Sequence, residues 1–94
     1  MKEADAKIRA LGRSFDLFDR SRREMDKSTD DLARADIDRQ WLGTARSIMA
    51  HHGYALGSWR IKSRVLLGLI AATGAQGVAI EAARSLATDI LEPR

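Results

Sequence analysis

Apolar side chains recur at intervals of three and four residues along almost the whole chain, from Ile8 to Ile90, and hardly anywhere alternate with polar ones. That period matches 3.6 residues per turn and not the two-residue repeat of a strand, so the expected fold is all-α. In the first segment Ile8, Leu11, Phe15, Phe18, Met25 and Leu32 fall on one helical face. Leu11, Phe18, Met25 and Leu32 also repeat every seven residues, as one seam of a coiled coil would, but the companion seam Ile8, Phe15, Arg22, Thr29 turns polar halfway. A charged amphipathic helix is expected over residues 1–27, beginning near Lys2.

Ser28-Thr29-Asp30-Asp31 reads as punctuation, with Ser28 as the N-cap and the two aspartates in a first turn that favours negative charge; a continuous long helix through this point is the alternative, since none of the four is Gly or Pro. A second helix is expected over 29–53, with Ile37, Trp41, Leu42, Ala45, Ile48 and Met49 inward and Gly53 closing it in the left-handed conformation. A helical pair is expected over 58–91. Ser58 would cap its first member, which would bury Ile61, Val65, Leu66, Leu69, Ala72 and Thr73 and leave Arg60, Lys62 and Arg64 outside the stripe. After Gly74-Ala75-Gln76-Gly77, the last helix would bury Val78, Ala82, Leu86 and Ile90, with Pro93 past its end. The architecture expected is a single helical domain of about four helices, either an antiparallel bundle or a helical hairpin followed by a smaller pair.

Size and composition narrow the function classes. A chain of 94 residues buries roughly 64% of its unfolded surface, enough for one core and not two. With five aromatic residues the core is thin, so self-association is expected. The absence of cysteine removes disulfides, thiolate nucleophiles and cysteine-ligated metals, and a cytoplasmic location is expected. The acidic, amphipathic start does not read as a secretory signal. The longest uncharged run, Val65 to Ile80, is 16 residues with three glycines in it, short of the roughly 20 a spanning helix needs, so no membrane span is expected.

The +3 formal charge is unevenly spread along the chain. Residues 1–40 hold ten basic and ten acidic side chains, whereas no acid occurs between Asp38 and Glu81. Arg46, Arg60, Lys62 and Arg64 lie in that gap, and Arg60, Lys62 and Arg64 form a candidate edge for nucleic acid or another anion. A helix, a glycine-containing connector and a basic helix follow in the order of a helix-turn-helix, although Gly53 to Gly57 makes a long connector. An amphipathic contact through Trp59 with an anionic membrane is a weaker reading of the same segment.

Catalytic chemistry finds little footing. His51 and His52 are adjacent, so a regular helix would splay their imidazoles about 100° apart and no metal site is expected. The carboxylates at helical spacing, Asp16 with Asp19 and Asp26 with Asp30, have arginine or lysine beside them that keeps them ionised. Ser47, Ser58, Ser63 and Ser85 lack a nucleophile elbow, and Gly68, Gly74 and Gly77 lack the flanking residues of a phosphate loop. No enzymatic activity and no cofactor are expected.

The order of a charged helix, then Ala45-Arg46-Ser47-Ile48-Met49 ending at Gly53, then Leu66-Leu67-Gly68-Leu69-Ile70, is similar to that in small accessory proteins of plasmid conjugation. The similarity covers the middle third of the chain and implies nucleic-acid contact. The leading expectation is a non-enzymatic interaction protein, a regulator, inhibitor or assembly adaptor. It would bind a protein partner or a second copy through Leu11, Phe18 and Met25, the stripe residues in excess of one core. The alternative is a nucleic-acid-binding accessory protein using Arg60, Lys62 and Arg64.

Overall fold

A computed structural model describes residues 2–25, 30–72 and 74–92. It contains α1 (Glu3–Met25), α2 (Asp31–Met49), α3 (Leu56–Ala71) and α4 (Gln76–Leu91), with no strand among the described residues. The fold is all-α, as the apolar period requires. Two antiparallel hairpins, α1–α2 and α3–α4, stack so that α1 lies along α3 and α2 along α4. Ion pairs and hydrogen bonds fix the register. Asp5 meets Ser58 and Asp16 meets Arg64, so α1 and α3 run the same way; Arg46 faces Glu81 and Met49 faces Ser85, so α2 and α4 do too.

The core is built from Ile8 and Phe15 of α1, Trp41, Ala45 and Ile48 of α2, Val65 and Leu69 of α3, and Val78, Ala79 and Ala82 of α4, with Ala72 and Ala75 at the turn. Phe15 and Trp41 stack with centroids 5.5 Å apart. Gly12 lets α1 and α3 approach closely, since a Cβ there would sit 3.0 Å from Ile61 Cγ2. At about 1.5 Å per residue, α3 and α4 are about 24 Å long and α1 is about 34 Å, so the second layer cannot cover the first along its full length. The Cα envelope is accordingly elongated, 46 × 23 × 15 Å.

Several boundaries differ from the expected ones. Ser28 and Thr29 lie outside the described residues, and α2 is capped by Asp30, whose carboxylate accepts from the Ala33 N–H at 3.1 Å. Its extended backbone breaks the helix, so Leu32 cannot continue a heptad seam with Leu11, Phe18 and Met25; Leu32 is 86% exposed on the second helix. α2 ends at Met49 with Ala50 as its right-handed C-cap, and Gly53 is not left-handed; among described residues only Gly74 has positive φ, at 85°. α3 begins at Leu56 with Ala55 as N-cap, which places Ser58 one turn inside the helix. Ile37 and Leu86 are only half-buried and Ile90 is mostly solvent-facing, because the inward faces of α2 and α4 end at Trp41 and turn to Asp89 respectively. Thr73 lies outside the described residues.

Candidate functional site

Three helix faces point inward with spacings of three and four residues, and each carries polar residues at the same end of the bundle. On α1 the row is Asp5, Ile8, Gly12, Phe15; on α3 it is Ser58, Lys62, Val65, Leu69; on α4 it is Val78, Ala82, Ser85, Asp89. The polar members converge on the connector between α2 and α3. Lys62 is fully buried, and its three ammonium protons are matched by three acceptors: His51 O at 2.7 Å, Ser85 Oγ at 2.8 Å and Asp89 Oδ2 at 2.5 Å. Ser85 passes its own proton to Met49 O at 2.8 Å, and Asp89 Oδ2 also accepts from the Gly53 N–H at 2.9 Å. His52 Nδ1 lies 3.4 Å from the other Asp89 oxygen. The carbonyls left open at the end of α2 are thus satisfied by a lysine and a serine from the other layer.

A second carboxylate serves the other end of the connector. Asp5 Oδ1 accepts from Tyr54 N at 2.9 Å, Ala55 N at 3.1 Å and Ser58 Oγ at 2.6 Å. Ala55 has no side chain with which to cap α3, so Asp5 of α1 supplies the capping oxygen from across the bundle. Burial alone would raise the Asp5 pKa, but the hydrogen bonds from Ser58, Tyr54 and Ala55 outweigh it and hold the carboxyl below its ordinary value. Trp59 Nε1 closes the connector by donating to Gly53 O at 2.8 Å.

This cluster corrects the expected basic edge. Lys62 does not lie on the surface between Arg60 and Arg64 but inside, because Asp89 and two carbonyl or hydroxyl oxygens compensate its charge there. It is unavailable to nucleic acid. Arg64 is exposed but paired to Asp16 of α1, 3.0 Å from Nη2 to Oδ2, so the acid-free stretch of sequence is not acid-free in space. Arg60 is exposed and has no ion-pair partner among the described residues. The expected partner stripe is also partly occupied. Leu11 and Phe18 pack against the core, and Met25 is half-buried near the far end of α1.

The sequence carried a signal for the buried cluster that periodicity arguments passed over. Lys62 stands one turn before Val65 and Leu69, and Asp89 one turn after Ser85 and Ala82, so opposite charges occupy stripe positions on consecutive helices. Asp5 likewise heads the stripe of Ile8, Gly12 and Phe15. A charge at such a position needs a partner of the opposite kind inside.

Around the cluster, Met49, His51, His52, Ser85, Thr88 and Asp89 line an open pocket of about 230 Å³. Ser85 and Asp89 are already engaged by Lys62, so neither is a free nucleophile or base. Among the described residues no group of three or more histidine and carboxylate side chains is placed to hold a metal ion. Among the described residues, too, no helix is long and apolar enough to cross a membrane.

Six of the eight large aliphatic side chains exposed among the described residues lie on the outer face of the α3–α4 layer: Leu56, Leu67 and Ile70 on α3, and Ile80, Ile90 and Leu91 on α4. Leu56, Arg60, Ser63, Leu67 and Ile70 follow a four-three-four-three spacing, and Gln76, Ile80, Ala83, Ala87 and Ile90 repeat it. The first row is bulky at its ends. The second is shallow in the middle. Comparison of the chain with protein-family models, with curated proteins and with solved structures finds no match, so the reading of this face rests on its own geometry.

Proposed function

We propose that the protein is a non-enzymatic helical interaction module whose working surface is the outer face of α3 and α4, and that this face pairs with the same face of a second copy. The observation that supports this reading is the double aliphatic row, Leu56, Leu67, Ile70 with Ile80, Ile90. An alternating three-four spacing, 3.5 on average, is what helices need to keep one seam against another. Covering an exposed leucine or isoleucine recovers about 1 kcal/mol or more each. A two-fold arrangement sets the bulky Leu67 and Ile70 of one copy over the shallow Ala83 and Ala87 of the other, and both contacts occur twice.

Sedimentation or light scattering across 1–200 μM (concentrations chosen about the roughly micromolar affinity a modest interface gives) tests this directly. The native chain is expected to shift from monomer to dimer, and Leu67→Glu with Ile80→Glu to remain monomeric with an unchanged helical circular-dichroism spectrum. A native chain that stays monomeric throughout would remove the second copy as occupant. Dimerisation that survives both substitutions would place the contact elsewhere.

A further inference from the structure

The pairing of Asp16 with Arg64 joins two arginine rows that lie far apart in sequence. On α1, Arg9, Arg13, Asp16, Arg20 and Arg23 follow one another at intervals of four, three, four and three, so they occupy one shoulder of the helix. Arg9, Arg13, Arg20 and Arg23 are exposed. On α3, Arg64 reaches Asp16 from the neighbouring helix, with Arg60 one turn before it. Asp16, Asp19, Arg20, Arg23 and Arg64 together line a polar crevice of about 380 Å³ between α1 and α3. Of these six arginines, Arg64 and Arg23 are taken up by Asp16 and Asp19, while Arg9, Arg13, Arg20 and Arg60 have no ion-pair partner among the described residues.

We propose that the α1–α3 shoulder binds the phosphate backbone of duplex nucleic acid, with Arg9, Arg13 and Arg20 as the main contacts and Arg60 and the already paired Arg23 and Arg64 at the border. Every cation here is an arginine, whose planar fork engages phosphate oxygens two at a time where lysine offers a point charge. From Arg9 to Arg23 the row runs about 21 Å, long enough for its arginines to reach several phosphates of a duplex. α1 offers no exposed aromatic side chain along the row: Phe15 is buried and Phe18 packs on the core. A single-strand site would need such stacking platforms, so a duplex is favoured. An anionic membrane is disfavoured because the apolar face of α1 is already spent on the core and only Leu17 is exposed among its large apolar residues. Contacts made to phosphates alone carry no sequence information, so the binding is expected to be independent of sequence. α1 contributes nothing to the aliphatic face and only Arg60 borders both surfaces, so dimer formation and the duplex contacts of the α1 row succeed or fail separately.

Fluorescence anisotropy of a labelled 20-base-pair DNA or RNA duplex, titrated with the full chain at about 50 mM salt and upward, provides the test. With the three unpaired arginines of α1 each engaging a phosphate, log K is expected to fall with log salt at a slope of about −2.7, about a fortyfold loss of affinity between about 50 and 200 mM. Arg13→Glu with Arg20→Glu is expected to weaken binding at least tenfold. Arg39→Glu with Arg84→Glu changes the net charge equally on other faces and is expected to change binding less than twofold. Equal weakening by both pairs would show a response to net charge alone and overturn the assignment. So would no binding by the native chain at about 50 mM salt, or preference for vesicles of anionic lipid or for single strands over the duplex.

Discussion

α1 and α2 each pass through two environments, and the halves behave as different kinds of structure. In the proximal half, Asp5, Ile8, Gly12 and Phe15 of α1 and Trp41, Ala45 and Ile48 of α2 are buried under α3 and α4. In the distal half, Asp16–Met25 with Asp31–Gln40, no side chain is buried. The distal half is dense in charge instead. Arg22 pairs with Asp38 at 2.8 Å and lies 4.3 Å over the Trp41 ring, Arg39 reaches Asp36 at 3.5 Å, and Arg23 pairs with Asp19. Exposed pairs of this kind contribute about 0–1 kcal/mol each, against about 1.5–3 kcal/mol for one fully buried aliphatic side chain. The distal hairpin is therefore held by surface ion pairs, by Phe18 packed on the core and by its continuity with the body, while the body is held by burial.

The largest expected effect lies in the body. Lys62→Ala leaves Asp89 buried without its cation and leaves His51 O and Ser85 short of a donor, and is expected to cost about 3–5 kcal/mol in urea unfolding. An effect below about 1 kcal/mol would mean that water replaces the ammonium and that the cluster is not closed. A step down, the contrast between the halves is read by one residue type. Ile48→Ala, at a fully buried site, is expected to cost about 2–4 kcal/mol, and Ile37→Ala, eleven residues earlier on the same helix, less than about 1 kcal/mol. Similar costs would erase the distinction between body and distal hairpin.

Next in size is the acid dependence that Asp5 gives the body. Its folded pKa is lowered, so its contribution to stability is present above the unfolded carboxyl value, about 3.9, and is lost as pH falls through the lower folded value. Asp5→Asn keeps an oxygen that can accept from Tyr54, Ala55 and Ser58 but removes the charge. At pH 7 it is expected to cost about 1 kcal/mol. The gap between variant and native chain should then narrow as pH falls below the unfolded carboxyl value and on through the lower folded one. A gap that is constant with pH would assign the effect to packing.

The difference between the halves explains what could be read in the sequence. Helix number and the inward placement of Ile8, Phe15, Trp41, Ala45, Ile48, Val65 and Leu69 follow from spacing alone, since burial repeats with the helical period. Spacing says nothing about how far the covering layer extends. Met25, Leu32 and Ile37 sit at inward-facing intervals yet lie beyond the reach of α3 and α4, so their stripe reads as core and is not. Lys62 fails in the opposite direction. A lysine is placed outside by its charge, and its burial depends on Asp89 and Ser85 more than twenty residues away meeting it at hydrogen-bond distance. Arg64 and Asp16 were likewise legible as charges but not as neighbours, because only the parallel stacking of α1 on α3 brings them together.

The smallest expected energetic effect is the most informative about the distal hairpin. Leu32 is 86% exposed in the first turn of α2, so Leu32→Ser removes no burial in the isolated chain and should change stability by less than about 0.5 kcal/mol. Hydrogen exchange of the native chain sharpens the same point. Amides of residues 34–40 are expected to exchange through local opening, at a lower free energy than those of residues 41–49, which should approach the global value. If Leu32→Ser instead lowers stability by 2 kcal/mol or more, far above the roughly half-kcal/mol ceiling for a free surface site, then Leu32 is covered in solution by another molecule. In that case protection of residues 34–40 should rise with protein concentration, and the contact between copies would include the hairpin tip as well as the α3–α4 face. If protection is uniform along α2 at low concentration and Leu32→Ser is silent, the hairpin unfolds only with the body. The charges along it would then supply more helix stability than exposed pairs ordinarily do.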